Sequence, residues 1–246
     1  MKKKYYIGPC FINLINNKDL LNQLYHDLTV QYKKTQIYLY CNIGSFYYFL
    51  SQVFQRAYSQ ADFSYLNSVY LSFFYRLIFG LKFRKSNVED FIYDLCLYCQ
   101  NIHKKVMLLG STEKTNRQAI VNLHKQFPSL KLKGYYGYFH NNDKVMQIIQ
   151  SYKPDIIFVG LGYGLQEQWL YKNKESLNQV LVCMTVGNYI EIIGEQVKLP
   201  SYFFKISRLE WLYRLIKEPR RLWKRYLFGL CFFLKEVIKS NLKTRK

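Results

Sequence analysis

The chain lacks a hydrophobic run long enough to cross a membrane. Its longest apolar run, residues 226–234 with one glycine, is far shorter than the roughly 20 residues that a spanning helix needs. The sequence also lacks internal repeats and low-complexity linkers, and half of its 246 residues are apolar. Such a chain can fill a sizeable core, so we expect a folded protein with no transmembrane helix.

Acidic residues are scarce. The 16 Asp and Glu stand against 36 Lys and Arg, which gives a formal net charge of +20. A charge of this size implies an anionic partner, which would be nucleic acid, a lipid surface or a phosphorylated substrate. Residues 205–246 carry thirteen of the cations against three glutamates. Because no nucleic-acid-binding motif accompanies them, we expect no nucleic-acid partner.

The six cysteines are scattered along the chain without an even framework. This usage favours a reducing cytoplasm over secretion. Cys96 and Cys99 form a CxxC, but no second pair and no suitably spaced histidines accompany it. A metal or redox role and simple packing on a helical face are both open for this pair. We expect no metal and no other cofactor.

Short apolar segments alternate with segments of helical spacing, which predicts βαβ units and an α/β fold. We expect a Rossmann-like, mainly parallel sheet flanked by helices in residues 1–200, followed by a basic amphipathic helical appendage in residues 201–246. The predicted strands are residues 4–8, 36–40, 105–109, 130–134, 155–160 and 179–185. The predicted helices are residues 88–102, 113–126, 142–152 and 165–174.

The most informative segment is DIIFVGLGYGLQEQW, residues 155–169. Its apolar half predicts a strand that is covered on both faces. Gly160 and Gly162 then allow a tight turn and close approach to a ligand, and Gln166 and Glu167 begin a helix whose free N–H groups favour an anion such as a diphosphate. A similar turn follows the third strand at Gly110 and Ser111. An ordinary strand-to-helix connection is the alternative at both places.

After Pro200 the composition shifts towards Leu, Trp, Phe and Arg. Apolar residues there recur at helical spacing and form stripes flanked by cations; they are Leu209, Leu212, Ile216, Leu222, Tyr226, Phe233 and Val237. Together with Trp211 and Trp223, this pattern is typical of a helix in the interface of an anionic membrane. The alternative is a helical arm that packs on its own domain or on another subunit.

Several motifs in order resemble the WecG/TagA/CpsF glycosyltransferases. Residues 159–169 are similar to the family signature VGLGxPKQExW, and residues 134–139 match its G-x-x-GYF element. Residues 110–111 fall at its GG/GS turn, and residues 209–221 reproduce LEWLYRLxxEPRR almost letter for letter. The resemblance covers nearly the whole chain.

The resemblance implies an α/β, inverting enzyme that moves N-acetylmannosamine or a similar sugar from a UDP-sugar to a polyprenyl-diphosphate-linked acceptor. The family serves teichoic acid, enterobacterial common antigen and capsule synthesis. The expected location is the cytoplasmic face of the bacterial plasma membrane, where residues 205–246 would dock peripherally on anionic lipid. A homo-oligomer or a partner glycosyltransferase is also expected.

The chain departs from the family at positions of functional interest. In the element ADxxxxDG, Asn67 replaces the carboxylate that is the expected base, and a neutral amide cannot serve as a general base. The family's T-P-N retains only Asn42, and Gly164 and Leu165 replace its Pro-Lys. Glu191 lies roughly where the family has another Asp.

Two functions therefore stay open. One is an active, diverged transferase with Asp62, Glu167 or Glu191 as substitute base. The other is a non-catalytic member that binds a nucleotide sugar or lipid intermediate and supports a partner transferase. The candidate catalytic residues are Asn67, Asp62 and Glu191. The candidate substrate-binding residues are Asn42, Gly110, Ser111, Gly137, Tyr138, Gly160, Gly162, Gln166, Glu167, Arg214, Arg220 and Arg221.

Overall fold

A computed structural model describes residues 3–13, 16–30, 32, 34–66, 69–80, 88–196 and 210–243. The strands are β1 Tyr5–Ile7, β2 Cys10–Ile12, β3 Gln36–Cys41, β4 Phe63–Leu66, β5 Lys105–Gly110, β6 Lys131–Tyr135, β7 Ile156–Gly160 and β8 Val182–Thr185. The helices are α1 Asn17–Thr29, α2 Ser45–Tyr48, α3 Gln52–Ser59, α4 Val69–Phe79, α5 Val88–Asn101, α6 Glu113–Gln126, α7 Asn142–Tyr152, α8 Leu165–Asn173, α9 Tyr189–Ile193, α10 Glu210–Lys217 and α11 Pro219–Lys243.

The core of the fold is a six-stranded parallel sheet in the order β4-β3-β8-β7-β5-β6. Buried clusters cover both of its faces. In β7, Ile157 and Val159 join one cluster, whereas Ile156 and Phe158 join the other. The predicted α/β class and the parallel sheet flanked by helices are thus confirmed, as is the doubly covered strand before the glycine turn.

The amino-terminal strand differs from its prediction over residues 4–8. The structure shortens it to β1 and pairs it with β2 in an antiparallel hairpin that is separate from the main sheet. Gly8, with φ of +57°, makes the turn between the two strands. A second difference is β4, which is absent from the predicted strands. Its Ser64 is polar but buried, and Asn13 binds its backbone through two hydrogen bonds.

Helix α11 packs on the α/β domain. The ring of Phe233 lies edge-on to Phe46 of α2 and to Phe74 of α4, with centroids 4.9 Å apart in each pair. A Cβ at Gly229 would lie 2.7 Å from the Ile43 carbonyl oxygen, so only glycine permits this approach. The predicted domain boundary at residue 200 lies outside the described residues.

The apolar stripe predicted for membrane contact on α11 is a packing face. Leu222 and Phe233 are buried, and Tyr226 and Val237 are half-buried. A different set of large apolar side chains is exposed on this helix. Five of these side chains recur at helical spacing and form what we call the outer stripe, which consists of Trp223, Leu227, Leu230, Leu234 and Ile238. Phe228 is also exposed and lies outside this stripe. The helix is therefore apolar on two sides, and the sequence pattern alone does not show which side packs on the domain.

The carboxyl ends of β5 and β7 meet through backbone atoms. Gly110 pairs with Gly160, and a Cβ at Gly110 would lie 2.3 Å from the Gly160 carbonyl oxygen. Gly110 also has φ of +151°. No side chain can be added here unless the strands move apart.

We therefore predict that Gly110→Ala lowers the free energy of unfolding by about 2 to 4 kcal/mol, because both overpacking and backbone strain act at this position. Urea denaturation followed by circular dichroism measures the effect. The matched control is Gly80→Ala, where φ is +67° and no atom lies within 4 Å of the added Cβ. Gly80→Ala should lower the free energy of unfolding by only about 1 to 2 kcal/mol, which is the strain of a non-glycine residue in the left-handed conformation. Equal losses in the two variants would contradict the close approach.

Candidate functional site

The loops that follow β3, β5, β7 and β8 meet at the carboxyl edge of the sheet. The helices after β3 and β7 pack on one face, through Phe46 and Leu170, while those after β5 and β8 pack on the other, through Leu123 and Ile190. Neighbouring loops thus diverge, and in open α/β sheets this divergence opens a crevice between the loops. Ligands of open α/β sheets bind at such a point, outside the carboxyl ends of the strands.

The glycine loop after β7 borders this crevice with backbone atoms. A Cβ at Gly160 would lie 2.8 Å from the carbonyl oxygen of Gly187, in the loop after β8. Gly162, with φ of +89°, is exposed and has no atom within 4 Å of where a Cβ would stand. Both predicted glycines thus lie at this edge: Gly160 contacts the loop after β8, and free space surrounds Gly162.

The loop after β5 forms the next part of the crevice. Ser111 has φ of +59° and is buried, and its Oγ has no hydrogen-bond partner among the described residues. Gly137 donates its N–H to the Ser111 carbonyl oxygen at 2.8 Å, and Tyr138 beside it is 72% exposed. Thr112 caps α6, because its side chain accepts a hydrogen bond from the Thr115 N–H. A bound ligand or water would satisfy the Ser111 hydroxyl.

Gln166 and Glu167 are both fully buried in the first turn of α8. The Glu167 carboxylate accepts hydrogen bonds from the Gly164 N–H and from Gln166 Nε2, each at 2.8 Å. Gln166 Oε1 is buried without a partner among the described residues. Glu167 thus holds the glycine loop in position from inside the protein, through its hydrogen bond with the Gly164 N–H.

Burial raises the pKa of the Glu167 carboxyl from 4.5 to about 7, although hydrogen bonds from Gln166, its own backbone and Gly164 act in the opposite direction. Desolvation disfavours the ionised form and here exceeds the gain from the hydrogen bonds. When Glu167 is neutral, a flip of the Gln166 amide lets the Gln166 oxygen accept a hydrogen bond from the Glu167 hydroxyl.

Asn42, which follows β3, lies at the same edge. Its Nδ2 donates to the hydroxyl of Tyr163 in the glycine loop at 2.5 Å and to that of Tyr40 at 3.4 Å. Its Oδ1 accepts from the Ser45 N–H at the start of α2. The structure therefore links Asn42 directly to the loop that carries Gly162.

Arg225 of α11, which belongs to no recognised sequence motif, also reaches this edge of the sheet. Its guanidinium carbon lies 4.6 Å from the centroid of the Tyr163 ring. A Cβ at Gly44 would stand 2.9 Å from Arg225 Nε and 3.1 Å from Asn42 Oδ1. Arg225 Nε is buried and has no hydrogen-bond partner among the described residues. A cation with an unpaired donor is thus held beside Asn42 and Tyr163.

Asp62 lies at the opposite edge of the sheet. It precedes β4, and its carboxylate accepts from the Ile37 N–H at 3.0 Å and from Lys34 Nζ at 2.9 Å. Ile37 stands near the amino end of β3, so these contacts join the amino ends of two parallel strands. This position does not bring Asp62 to the edge where Gly162 lies.

Of the other candidate residues, the structure describes the side chains of Glu191 and Arg220. Glu191 is half-buried in α9, after the loop that touches Gly160. Arg220 is exposed in the first turn of α11. Asn67 and the side chains of Arg214 and Arg221 lie outside the described residues.

The CxxC pair packs inside the fold. Cys96 and Cys99 are both fully buried on α5, in the cluster that covers one face of the sheet, which favours packing over a metal or redox role. In the part of the chain that the structure describes, no group of three His, Cys, Asp or Glu could hold a metal ion. Within those same residues, no helix has the length and hydropathy needed to cross a membrane.

The sheet order and the helices on both faces define a doubly wound α/β protein, a fold in which ligands bind outside the carboxyl ends of the strands. A model of the Glycosyl transferase WecG/TagA/CpsF family matches residues 7–246, and the chain belongs to this family. The chain is similar to the N-acetylglucosaminyldiphosphoundecaprenol N-acetyl-beta-D-mannosaminyltransferases of Staphylococcus aureus strains MRSA252 and NCTC 8325 / PS 47, with 30% identity over 174 residues. These alignments cover 70% of this chain and 66% of each relative, slightly less than two thirds of their length.

The raised pKa of Glu167 predicts how stability depends on pH. The folded protein holds the Glu167 proton up to about pH 7, whereas the unfolded chain releases it near its ordinary pKa of 4.5. The folded state therefore binds more protons between these values, and the free energy of unfolding falls by about 3 kcal/mol as pH rises through this window.

Glu167→Gln should remove this fall, because the side chain no longer titrates. Urea denaturation of both proteins from pH 4.5 to 8 measures the difference between their profiles. Glu113→Gln is the matched control, since Glu113 is an exposed partner of Arg117 on α6. Its profile should follow that of the unmodified protein. A Glu167→Gln profile that also follows the unmodified protein would show that Glu167 is ionised throughout the window.

Proposed function

We propose that the protein is a glycosyltransferase that moves N-acetylmannosamine or a similar sugar from a UDP-sugar to a polyprenyl-diphosphate-linked acceptor. The named activity of the Staphylococcus aureus relatives supports this reaction. We place it in the synthesis of a bacterial cell-surface polysaccharide, at the cytoplasmic face of the plasma membrane. The observation that carries the proposal is the convergence of the glycine loop, Asn42 and Arg225 at one edge of the sheet.

The crevice has the groups that a diphosphate needs. Gly162 leaves its backbone open, the Ser111 hydroxyl has no partner among the described residues, and α8 begins beside the glycine loop. Peptide N–H groups and a helix amino terminus favour an anion. Arg225 adds a guanidinium, which neutralises the charge that develops on a leaving UDP. In this proposal arginine supplies the cation and no metal cofactor takes part.

Glu191 is the carboxylate that we propose as base. Glu167 is buried and occupied with the Gly164 N–H, and Asp62 lies at the amino edge of the sheet. Glu191 stands in α9, directly after the loop that contacts Gly160. An inverting transfer needs a base to take the proton from the acceptor hydroxyl, and the position of α9 supports this assignment.

Helix α11 supports the peripheral membrane contact that the basic tail predicts. The outer stripe is exposed at helical spacing, and Lys224 and Lys235 are exposed on the same helix. An apolar stripe beside cations suits the interface of an anionic bilayer. This contact would place Arg225 and the crevice near a lipid-linked acceptor.

The role of Arg225 predicts a loss of UDP affinity in Arg225→Ala. Because charge-assisted hydrogen bonds to phosphate would be lost, the dissociation constant should rise about tenfold to a hundredfold. Isothermal titration calorimetry at fixed salt measures it. The matched control is Lys224→Ala, which removes the same charge from the preceding residue. The Lys224 side chain is exposed and lies over Trp223. The UDP affinity of this variant should stay within about twofold. Equal weakening of both variants would point to net charge alone and against a contact with UDP.

The role of Glu191 predicts that Glu191→Gln lowers kcat by about 10²- to 10⁴-fold, the usual contribution of a general base, with little change in UDP affinity. UDP release from UDP-N-acetylmannosamine is measured with a short-chain N-acetylglucosaminyl-diphosphate lipid, in detergent and with EDTA. Glu195→Gln is the matched control on an exposed neighbour and should retain full activity. Full activity in Glu191→Gln would remove Glu191 from the mechanism.

The second candidate function is a non-catalytic member that binds a nucleotide sugar. The amide at position 67 and the buried position of Glu167 favour it. The same assay separates the two functions. Binding of UDP without release from any UDP-sugar donor would establish the binding role and overturn the transferase proposal.

A further inference from the structure

Helix α4 exposes two large apolar side chains. Phe73 is 61% exposed and Leu77 is 70% exposed. They are four residues apart and therefore lie on the same side of the helix. Arg76, next to Leu77, is also exposed. The other side of α4 carries Leu71 and Tyr75 into the core, so the helix has a buried side and an apolar side in solvent.

This exposed side is connected to α11 by a chain of aromatic rings. The ring of Phe73 lies 5.6 Å from that of Phe74, and Phe74 lies edge-on to Phe233 of α11 at 4.9 Å. On α11, Arg225 and Gly229 face Gly44 and Ile43, next to α2. By helical periodicity, the outer stripe points away from α2. The surface of α4 and the outer stripe thus belong to neighbouring helices that share one packing contact.

The charge around these two apolar surfaces favours an anionic occupant. Arg76 on α4 and Lys224 and Lys235 on α11 are exposed. The whole chain carries a formal net charge of +20. A second copy of this chain would bring the same cations into the contact, whereas an anionic lipid surface complements them.

We propose that α4 is a second membrane-contacting element, which inserts Phe73 and Leu77 into the bilayer interface together with the outer stripe. The proposal rests on the proposed membrane association of α11 and extends it to a helix in the middle of the chain. Helix α4 begins three residues after the carboxyl end of β4. It therefore brings the lipid surface to the edge of the sheet where the crevice lies, and a lipid-linked substrate can enter there without leaving the interface.

The test uses an environment-sensitive fluorophore on single cysteines. Cys231 is the exposed cysteine of the chain and the other five are buried, so Cys231→Ser provides the background. Phe73→Cys, Leu234→Cys and Leu97→Cys are labelled separately in the full chain. Leu97 is the matched control, since it is an exposed leucine on α5. Each protein is mixed with phosphatidylglycerol-containing vesicles and with pure phosphatidylcholine vesicles.

We expect labels at positions 73 and 234 to shift their emission to shorter wavelength on the anionic vesicles and to be quenched by nitroxide-labelled lipid. The label at position 97 should not respond. In the otherwise unmodified chain, Phe73→Ser with Leu77→Ser should weaken vesicle binding by about tenfold or more, because two large apolar side chains no longer leave water. Its UDP affinity and circular dichroism should be unchanged.

The outcomes separate the two proposals. A response at position 234 without one at position 73 would overturn the role of α4 and leave the docking of α11 intact. If no label responds, the membrane association of the proposed function is itself wrong. A shift at position 73 that grows with protein concentration in the absence of vesicles would make this surface a contact between copies of the chain, which would also overturn the proposal.

Discussion

The closeness of the strand ends at the carboxyl edge is the constraint on which the site depends. A Cβ at Gly110 would lie 2.3 Å from the Gly160 carbonyl oxygen, and a Cβ at Gly160 would lie 2.8 Å from the Gly187 carbonyl oxygen. The edge is therefore built from peptide groups, and a ligand can approach the backbone directly. Glu167 then fixes the exposed turn at Gly162 by binding the Gly164 N–H from inside the protein. A buried carboxylate with a raised pKa is part of what keeps this backbone in place.

The cation of the site comes from a different part of the chain. Arg225 reaches Tyr163 because α11 packs on the domain through Phe233 and through Gly229, which admits the Ile43 carbonyl. The same helix carries the outer stripe on another side. The position of the guanidinium and the position of the apolar surface are thus set by a single packing contact. Any change in how α11 sits on the domain would alter both together.

The sequence predicted those parts of the molecule that depend on local pattern. Buried strands, the longer helices and the glycine turn after β7 follow from residue order alone. Three features did not, because each depends on a distant partner. The buried Ser64 of β4 is held by Asn13, the two apolar sides of α11 are distinguished by contacts with α2 and α4, and Arg225 becomes part of the site through residues more than sixty positions earlier.

The departures from the family signature form one connected arrangement. Gly164 has φ of +82°, a value closed to the proline that the family has there. A Cβ at position 164 would lie 2.8 Å from the ring of Tyr48. The plane of this ring makes an angle of 11° with the plane of the Tyr163 ring. Tyr163 in turn lies under the Arg225 guanidinium. The loop has lost the lysine of the signature at Leu165, yet a cation still stands beside it. The Nε of Arg225 is buried without a hydrogen-bond partner among the described residues, while the guanidinium packs on the rings of Tyr163 and Tyr226. Because an unpaired buried donor is costly, this nitrogen supports the proposal that an anion binds at the loop.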